Sequence, residues 1–332
     1  MYFLNRNLPL ILSVILYLLL FWLRFLQGGW EIKTDLFQNQ RQALDETITK
    51  FLPSPQAQLL SGIVLGEKKS LPPKFQLALR DTSTLHIVVV SGQNLSMVAG
   101  FFLALAGLIK RKAAIILAFG AIIFYTLLTG AQVPVLRATI MVSLSFLAQI
   151  FGRQNSGFWT LVVTGAFMLL LNPQWLFDLS FQLSFMATMG LIIIAPILLK
   201  YFKYLPLIGQ DLAITMGAQI AVMPIIIQHF HQLSLVAVIT NLLVGWTVPF
   251  IMIGGAVMLI LGSISQILGT VVALILNILL TYFVYIVQFI ASMPFAWEYV
   301  GEQIWVVWVG YYMVLGGVLL MLTQNANRKT QN

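Results

Sequence analysis

The 332-residue chain has no cysteine, which excludes disulfides, thiolate-bound zinc, iron–sulfur clusters and a thiol nucleophile. Its three histidines, His86, His229 and His231, include no His-Glu-x-x-His spacing, so no metal site or cofactor is expected. Charge is scarce as well. The 18 Lys and Arg and 10 Asp and Glu make up 8% of residues, against roughly 25% in soluble domains. Such a composition excludes a soluble enzyme, a disordered tail and a secreted disulfide scaffold.

Apolar residues are what the chain has in excess, at 60%. A bilayer core takes about 20 helical residues per crossing, and runs of that length recur throughout. The expected fold is all-α: a polytopic helical membrane protein with about ten transmembrane helices. The spans read as 8–26, 85–109, 113–129, 133–151, 157–172, 180–199, 211–229, 233–261, 267–291 and 304–322. No small-x-small cleavage site follows the first stretch, so it reads as a retained anchor. Four regions result: an anchor over 1–26, an extracytoplasmic polar segment over 27–84, a helical channel domain over 85–322, and a cytoplasmic tail over 323–332.

The net charge of +8 follows the positive-inside pattern rather than pointing to nucleic acid. With the N-terminus inside, Arg6, Lys110-Arg111-Lys112, Arg153, Lys200, Lys203 and Arg328-Lys329 all fall on the cytoplasmic side. The opposite short loops carry Asp178, Glu298 and Glu302. A multi-pass protein of the plasma (inner) membrane with both termini cytoplasmic is expected. The 27–84 segment is nearly neutral, with seven basic and six acidic residues, and Gln56–Leu65 has the apolar spacing of an interfacial helix. Gly62 to Lys68-Lys69-Ser70 fails the spacing of a phosphate-binding loop.

Polar residues inside the spans carry the functional signal, because a charge at the bilayer centre costs about 2.5–3.5 kcal/mol and is placed against protein or water. Span two opens with His86, Ser91, Gly92, Gln93 and Asn94; span four carries Arg137; span six is preceded by Asp178 and contains Gln182; spans seven and eight hold Gln219, His229 and Asn241. The Gly92 neighbourhood suggests a broken helix near Ser91–Asn94, tolerated at that depth only within protein or beside a wet cavity. Interhelical hydrogen bonding is the plainer explanation for any single Ser, Gln or Asn. Arg137 differs, since its five donors demand acceptors or water; Asp178 is a candidate partner. Two other classes fit some of these residues: a secondary transporter of a small solute, and an intramembrane hydrolase using Ser91 with His86 or His229 as base.

Four fragments resemble the ComEC family of competence proteins, membrane channels for DNA uptake in transformation. The first runs from Leu52-Pro53 through Leu59-Leu60-Ser61-Gly62-Ile63-Val64-Leu65-Gly66 to Leu85-His86 and Ser91-Gly92. The second is Pro134-Val135-Leu136-Arg137-Ala138. The third runs from Asn172-Pro173 to Asp178-Leu179-Ser180-Phe181-Gln182-Leu183-Ser184-Phe185. The fourth joins Ala218-Gln219, Pro224, His229-Phe230, Leu233-Ser234 and Asn241. Asn94 stands where many relatives have His, and Ser180 where glycine is common.

The resemblance implies a non-enzymatic channel passing single-stranded DNA inward, without cofactor. Arg137 would meet phosphate, Ser91, Gln93 and Asn94 would line the broken helix, and Asp178 with Gln182 would orient Arg137 or gate the opening. It further implies a separate DNA receptor, a nuclease and a cytoplasmic helicase as partners. The 27–84 segment is too short for the family's oligonucleotide-binding-type domain, and nothing after Leu322 matches its metallo-β-lactamase-like nuclease.

Overall fold

The computed structural model describes residues 2–29, 36–67, 71–206 and 208–329; Lys68, Lys69, Ser70 and the last three residues of the expected tail lie outside them. Within these residues the chain is helical almost throughout. The first helix, α1, is Tyr2–Gln27. Four shorter helices follow: α2 (Gln38–Phe51), α3 (Gln56–Leu65), α4 (Pro73–Asp81) and α5 (Leu85–Val88). Then come α6 (Gly92–Ala104), α7 (Arg111–Leu128), α8 (Val133–Ile150), α9 (Gly157–Leu171), α10 (Leu179–Phe202) and α11 (Gly209–Phe230). Strand β1 (Gln232–Ser234), α12 (Ala237–Gly245), α13 (Thr247–Ile264), α14 (Gln266–Ala291), β2 (Trp297–Tyr299) and α15 (Trp305–Lys329) complete the order.

Seven helices (α7, α8, α10, α11, α13, α14 and α15) are long and apolar enough to cross a bilayer. Three shorter apolar stretches, Leu12–Gln27, Gly92–Gly107 and Gly157–Leu171, coincide with the other expected spans. The protein is an all-α polytopic membrane protein.

Two expected spans are interrupted, each for a local reason. The 85–109 span divides into α5 and α6 around an extended Val89 (ψ 137°) and Ser91 (ψ 172°). Three consecutive valines, Val88 to Val90, weaken the helix there because β-branched side chains crowd the preceding turn. The break thus precedes Gly92, and Gly92–Asn94 form the first turn of α6. The 233–261 span divides into β1, α12 and α13. Pro249 has no N–H for the Gly245 carbonyl, so the helix cannot run on unchanged past Trp246. β1 pairs antiparallel with β2, Leu233 opposite Glu298.

The polar 27–84 segment contributes to the core. Ile48, Leu59, Leu60, Ile63, Leu65, Phe75 and Leu79 are buried in one cluster with residues of α6, α7, α8, α13 and α14. The expected one-faced helix at Gln56–Leu65 has these bounds, but residues on all its sides are buried. Glycines permit this. A Cβ at Gly62 would lie 2.5 Å from Val88 Cγ1, and one at Gly255 would lie 2.7 Å from Leu60 Cδ1.

A close crossing joins α10 and α11, where a Cβ at Gly190 would sit 2.2 Å from the Gly217 carbonyl oxygen. Small residues let backbones approach in this way, which is what drives helix association in lipid. At the other edge, Arg24 Nε and Nη2 donate to the Leu170 and Leu171 carbonyls at 3.1 and 3.2 Å, fastening α1 to the C-terminal end of α9. Pro224 removes the N–H that the Ile220 carbonyl would take within α11; the Tyr311 hydroxyl of α15 donates to it at 2.9 Å. Tyr312 donates to the Ala221 carbonyl at 3.0 Å, and Trp308 Nε1 to Gln228 Oε1 at 2.6 Å.

Candidate functional site

Helix ends, rather than helix faces, assemble the polar centre. An α-helix leaves its last four carbonyls without internal partners. At the end of α3, Gly66 takes a left-handed conformation (φ 78°) and its N–H closes on the Gly62 carbonyl. The Ile63 carbonyl accepts from Asn94 Nδ2 at 2.9 Å, and the Gly66 carbonyl from Gln132 Nε2 at 3.1 Å. At the end of α7, the Leu128 carbonyl accepts from Arg41 Nη1 at 3.2 Å. Arg41 also forms an ion pair with Glu67 at 2.9 Å. Gly130 (φ 77°) makes room, since a Cβ there would meet Arg41 Nη1 at 2.6 Å.

The start of α6 faces Arg137. Ser91 occupies the N-cap position, and its hydroxyl donates to Asn94 Oδ1 at 3.3 Å. A methyl added at Gly92 would lie 3.1 Å from Arg137 Nη2 and 3.3 Å from Ala138 Cβ. Arg137 is 8% exposed. Its Nη1 donates to Thr188 Oγ1 of α10 and approaches Met141 Sδ at 3.7 Å, while Nε has no protein partner among the described residues. A buried guanidinium with unspent donors therefore stands beside the positive end of a helix. Both favour an anion.

The structure brings Ser91, Gly92, Asn94 and Arg137 together. It does not bring the remaining sequence candidates to them by any hydrogen bond. Gln93 is exposed on the first turn of α6. Asp178 caps α10, accepting from the Phe181 N–H at 2.8 Å, and Gln182 donates to the Leu176 carbonyl at 3.0 Å. Thr188, not Asp178, is thus the partner of Arg137. His86 and His229 are exposed and bond to carbonyls of their own neighbourhoods, Ser83 and Ile225. Neither is placed as a base for Ser91. Gln219 is half-buried in the middle of α11. Asn241 lies in α12, which packs on α11, α13 and α14, and its buried Oδ1 has no partner among the described residues.

Arg41, Glu67 and Thr188 escaped the sequence reading. Arg41 and Glu67 look ordinary in a neutral polar segment, and a threonine in a span carries no distinctive signal.

Comparison with known proteins identifies the family. The family model described as Competence protein matches residues 63–325, which takes in α4 to α14, the end of α3 and most of α15. ComE operon protein 3 of Bacillus subtilis (strain 168) is 28% identical over 209 residues, covering 62% of this chain and 26% of that protein. Protein YcaI of Escherichia coli (strain K12) is 28% identical over 233 residues, covering 63% and 30%. A protein of Aquifex aeolicus (strain VF5) is 32% identical over 133 residues, covering 40% and 32%. The aligned part thus spans about a quarter to a third of these curated relatives. No solved structure matches. With most of its length inside the family match, and with Ser91, Gly92, Asn94 and Arg137 all within it, the chain belongs to the Competence protein family.

Proposed function

We propose that the protein guides single-stranded DNA inward across the plasma membrane, with Arg137 and the first turn of α6 forming a phosphate-binding constriction. The observation that carries this reading is the buried Arg137, whose Nε has no partner among the described residues and whose Nη2 faces Gly92 at the start of α6. Phosphate contacts supply most nucleic-acid affinity, and a helix N-terminus can serve an anion without further positive side chains. Ser91, Gln93 and Asn94 line this end of the path. Arg137 closes it in the conformation described, so DNA passes only when α6 and α8 part. His86, Asp178, Gln182, Gln219, His229 and Asn241 stand in the approaches.

In this reading residues 85–322 form the channel, the 27–84 segment packs into it from the extracytoplasmic side, and both termini are cytoplasmic. The protein carries out no covalent chemistry; a receptor, a nuclease and a helicase act before and after it. Internalisation of labelled DNA should be lost in a deletion strain and restored by the intact gene but not by Arg137→Gln, with both proteins equally abundant in the membrane. Normal uptake in the deletion strain would refute the proposal. The interrupted helix at Val89–Ser91 also supports a second reading, a transporter of a small anion. An anion that raises the melting temperature of the purified protein, where oligonucleotides do not, would favour it.

A further inference from the structure

Outside the polar centre, α6 and α7 enclose an open apolar groove of about 470 Å³. Val98 and Phe102 line it from α6, and Ile116, Leu117, Gly120 and Phe124 from α7. The groove follows α7 from Ile116 to Tyr125, roughly 14 Å at 1.5 Å per residue. One leaflet of hydrocarbon is about 15 Å deep. Before Ile116, α7 begins at the turn Lys110-Arg111-Lys112, in which all three side chains are exposed. Lys112 lies one helical turn before Ile116 and so on the same face of α7. Arg111 Nη2 donates to Gln149 Oε1 at 3.4 Å, which brings the end of α8, followed by Arg153, to the same membrane face. A groove one leaflet deep, apolar along its length and basic only at its end, has the dimensions and charge distribution of a phospholipid.

We propose that this groove holds an acyl chain of an anionic phospholipid whose phosphate headgroup sits at Lys110–Lys112. Basic groups at a leaflet surface attract anionic lipid by roughly fivefold each, and the apolar walls hold the chain. Gly120 keeps the groove open, since a Cβ there would meet nothing within 4 Å. For the same reason a larger residue at 120 fills the groove without disturbing helix packing.

The test uses the full-length protein in nanodiscs containing phosphatidylglycerol or phosphatidylcholine with a photoactivatable acyl chain, cross-linked sites being mapped by mass spectrometry. Labelling should concentrate on Val98–Tyr125 and favour phosphatidylglycerol by at least about fivefold, the contribution of a single basic group. K110Q/K112Q should abolish most of that preference, and Gly120→Phe should remove the labelling itself. K200Q/K203Q, at a basic turn outside the lining of this groove, should change neither. Gly120→Leu serves as the second filling variant if the phenylalanine protein is not monodisperse. Labelling spread evenly over the outward helices, or equal for the two lipids, overturns the proposal. So does labelling in the groove that survives both filling variants, or a loss with K200Q/K203Q as large as that with K110Q/K112Q.

Discussion

Arg137 is held through Nη1, which donates to Thr188 Oγ1, while its buried Nε has no protein acceptor among the described residues. Thr188→Val keeps the shape and removes that acceptor. It should lower stability by about 1–3 kcal/mol, the cost of leaving a buried donor unmet, read as a fall in the melting temperature of the detergent-solubilised protein. Asn94→Leu should cost a similar amount, about 1–3 kcal/mol, because the Ile63 carbonyl at the end of α3 then has no partner. A melting temperature unchanged by both substitutions would show that these bonds contribute nothing. At this scale the sequence was informative wherever a group is costly in lipid: Arg137 and the Ser91–Asn94 neighbourhood stood out for that reason alone. Asp178 did not become its partner, because a carboxylate before a helix is satisfied locally by the first-turn N–H groups, here that of Phe181.

Between elements, the α10–α11 crossing depends on the absence of a side chain at Gly190. Gly190→Val would drive methyl groups into the Gly217 carbonyl, an unyielding backbone contact, and should sharply reduce the folded yield from membranes. Gly100→Ala in α6 provides the contrast, since a Cβ there meets nothing within 4 Å; yield and melting temperature should hold or rise. Equal yields from Gly190→Val and the parent protein would mean the two helices are not so close. Hydropathy located the spans because each crossing must satisfy its own backbone and face an apolar surroundings. It could not disclose that α3 is buried on all sides, because that depends on which helices surround it. Nor did it resolve α12 from α13, where a single proline interrupts an unbroken apolar run.

Across the whole molecule, the basic turn at Lys110–Lys112 and the acidic residues Glu298 and Glu302 should lie on opposite sides of the membrane. The chain has no native cysteine, so single-cysteine variants report position without background. An impermeant maleimide added to intact cells should label Glu302→Cys and leave Lys112→Cys unlabelled, the pattern reversing for inside-out vesicles. Labelling of both from one side would invert or break the expected topology.

The repair of α11 by α15 bears on how the protein is made. Tyr311 follows Ile220 by 91 residues, so at roughly 5–20 residues per second the ribosome needs on the order of ten seconds to supply the donor that Pro224 took away. During that interval a bare carbonyl must borrow water or a chaperone inside the nascent bundle, and a ribosome that stalls before Tyr311 leaves α11 unfinished. A helix made 91 residues later thus completes the hydrogen bonding of α11.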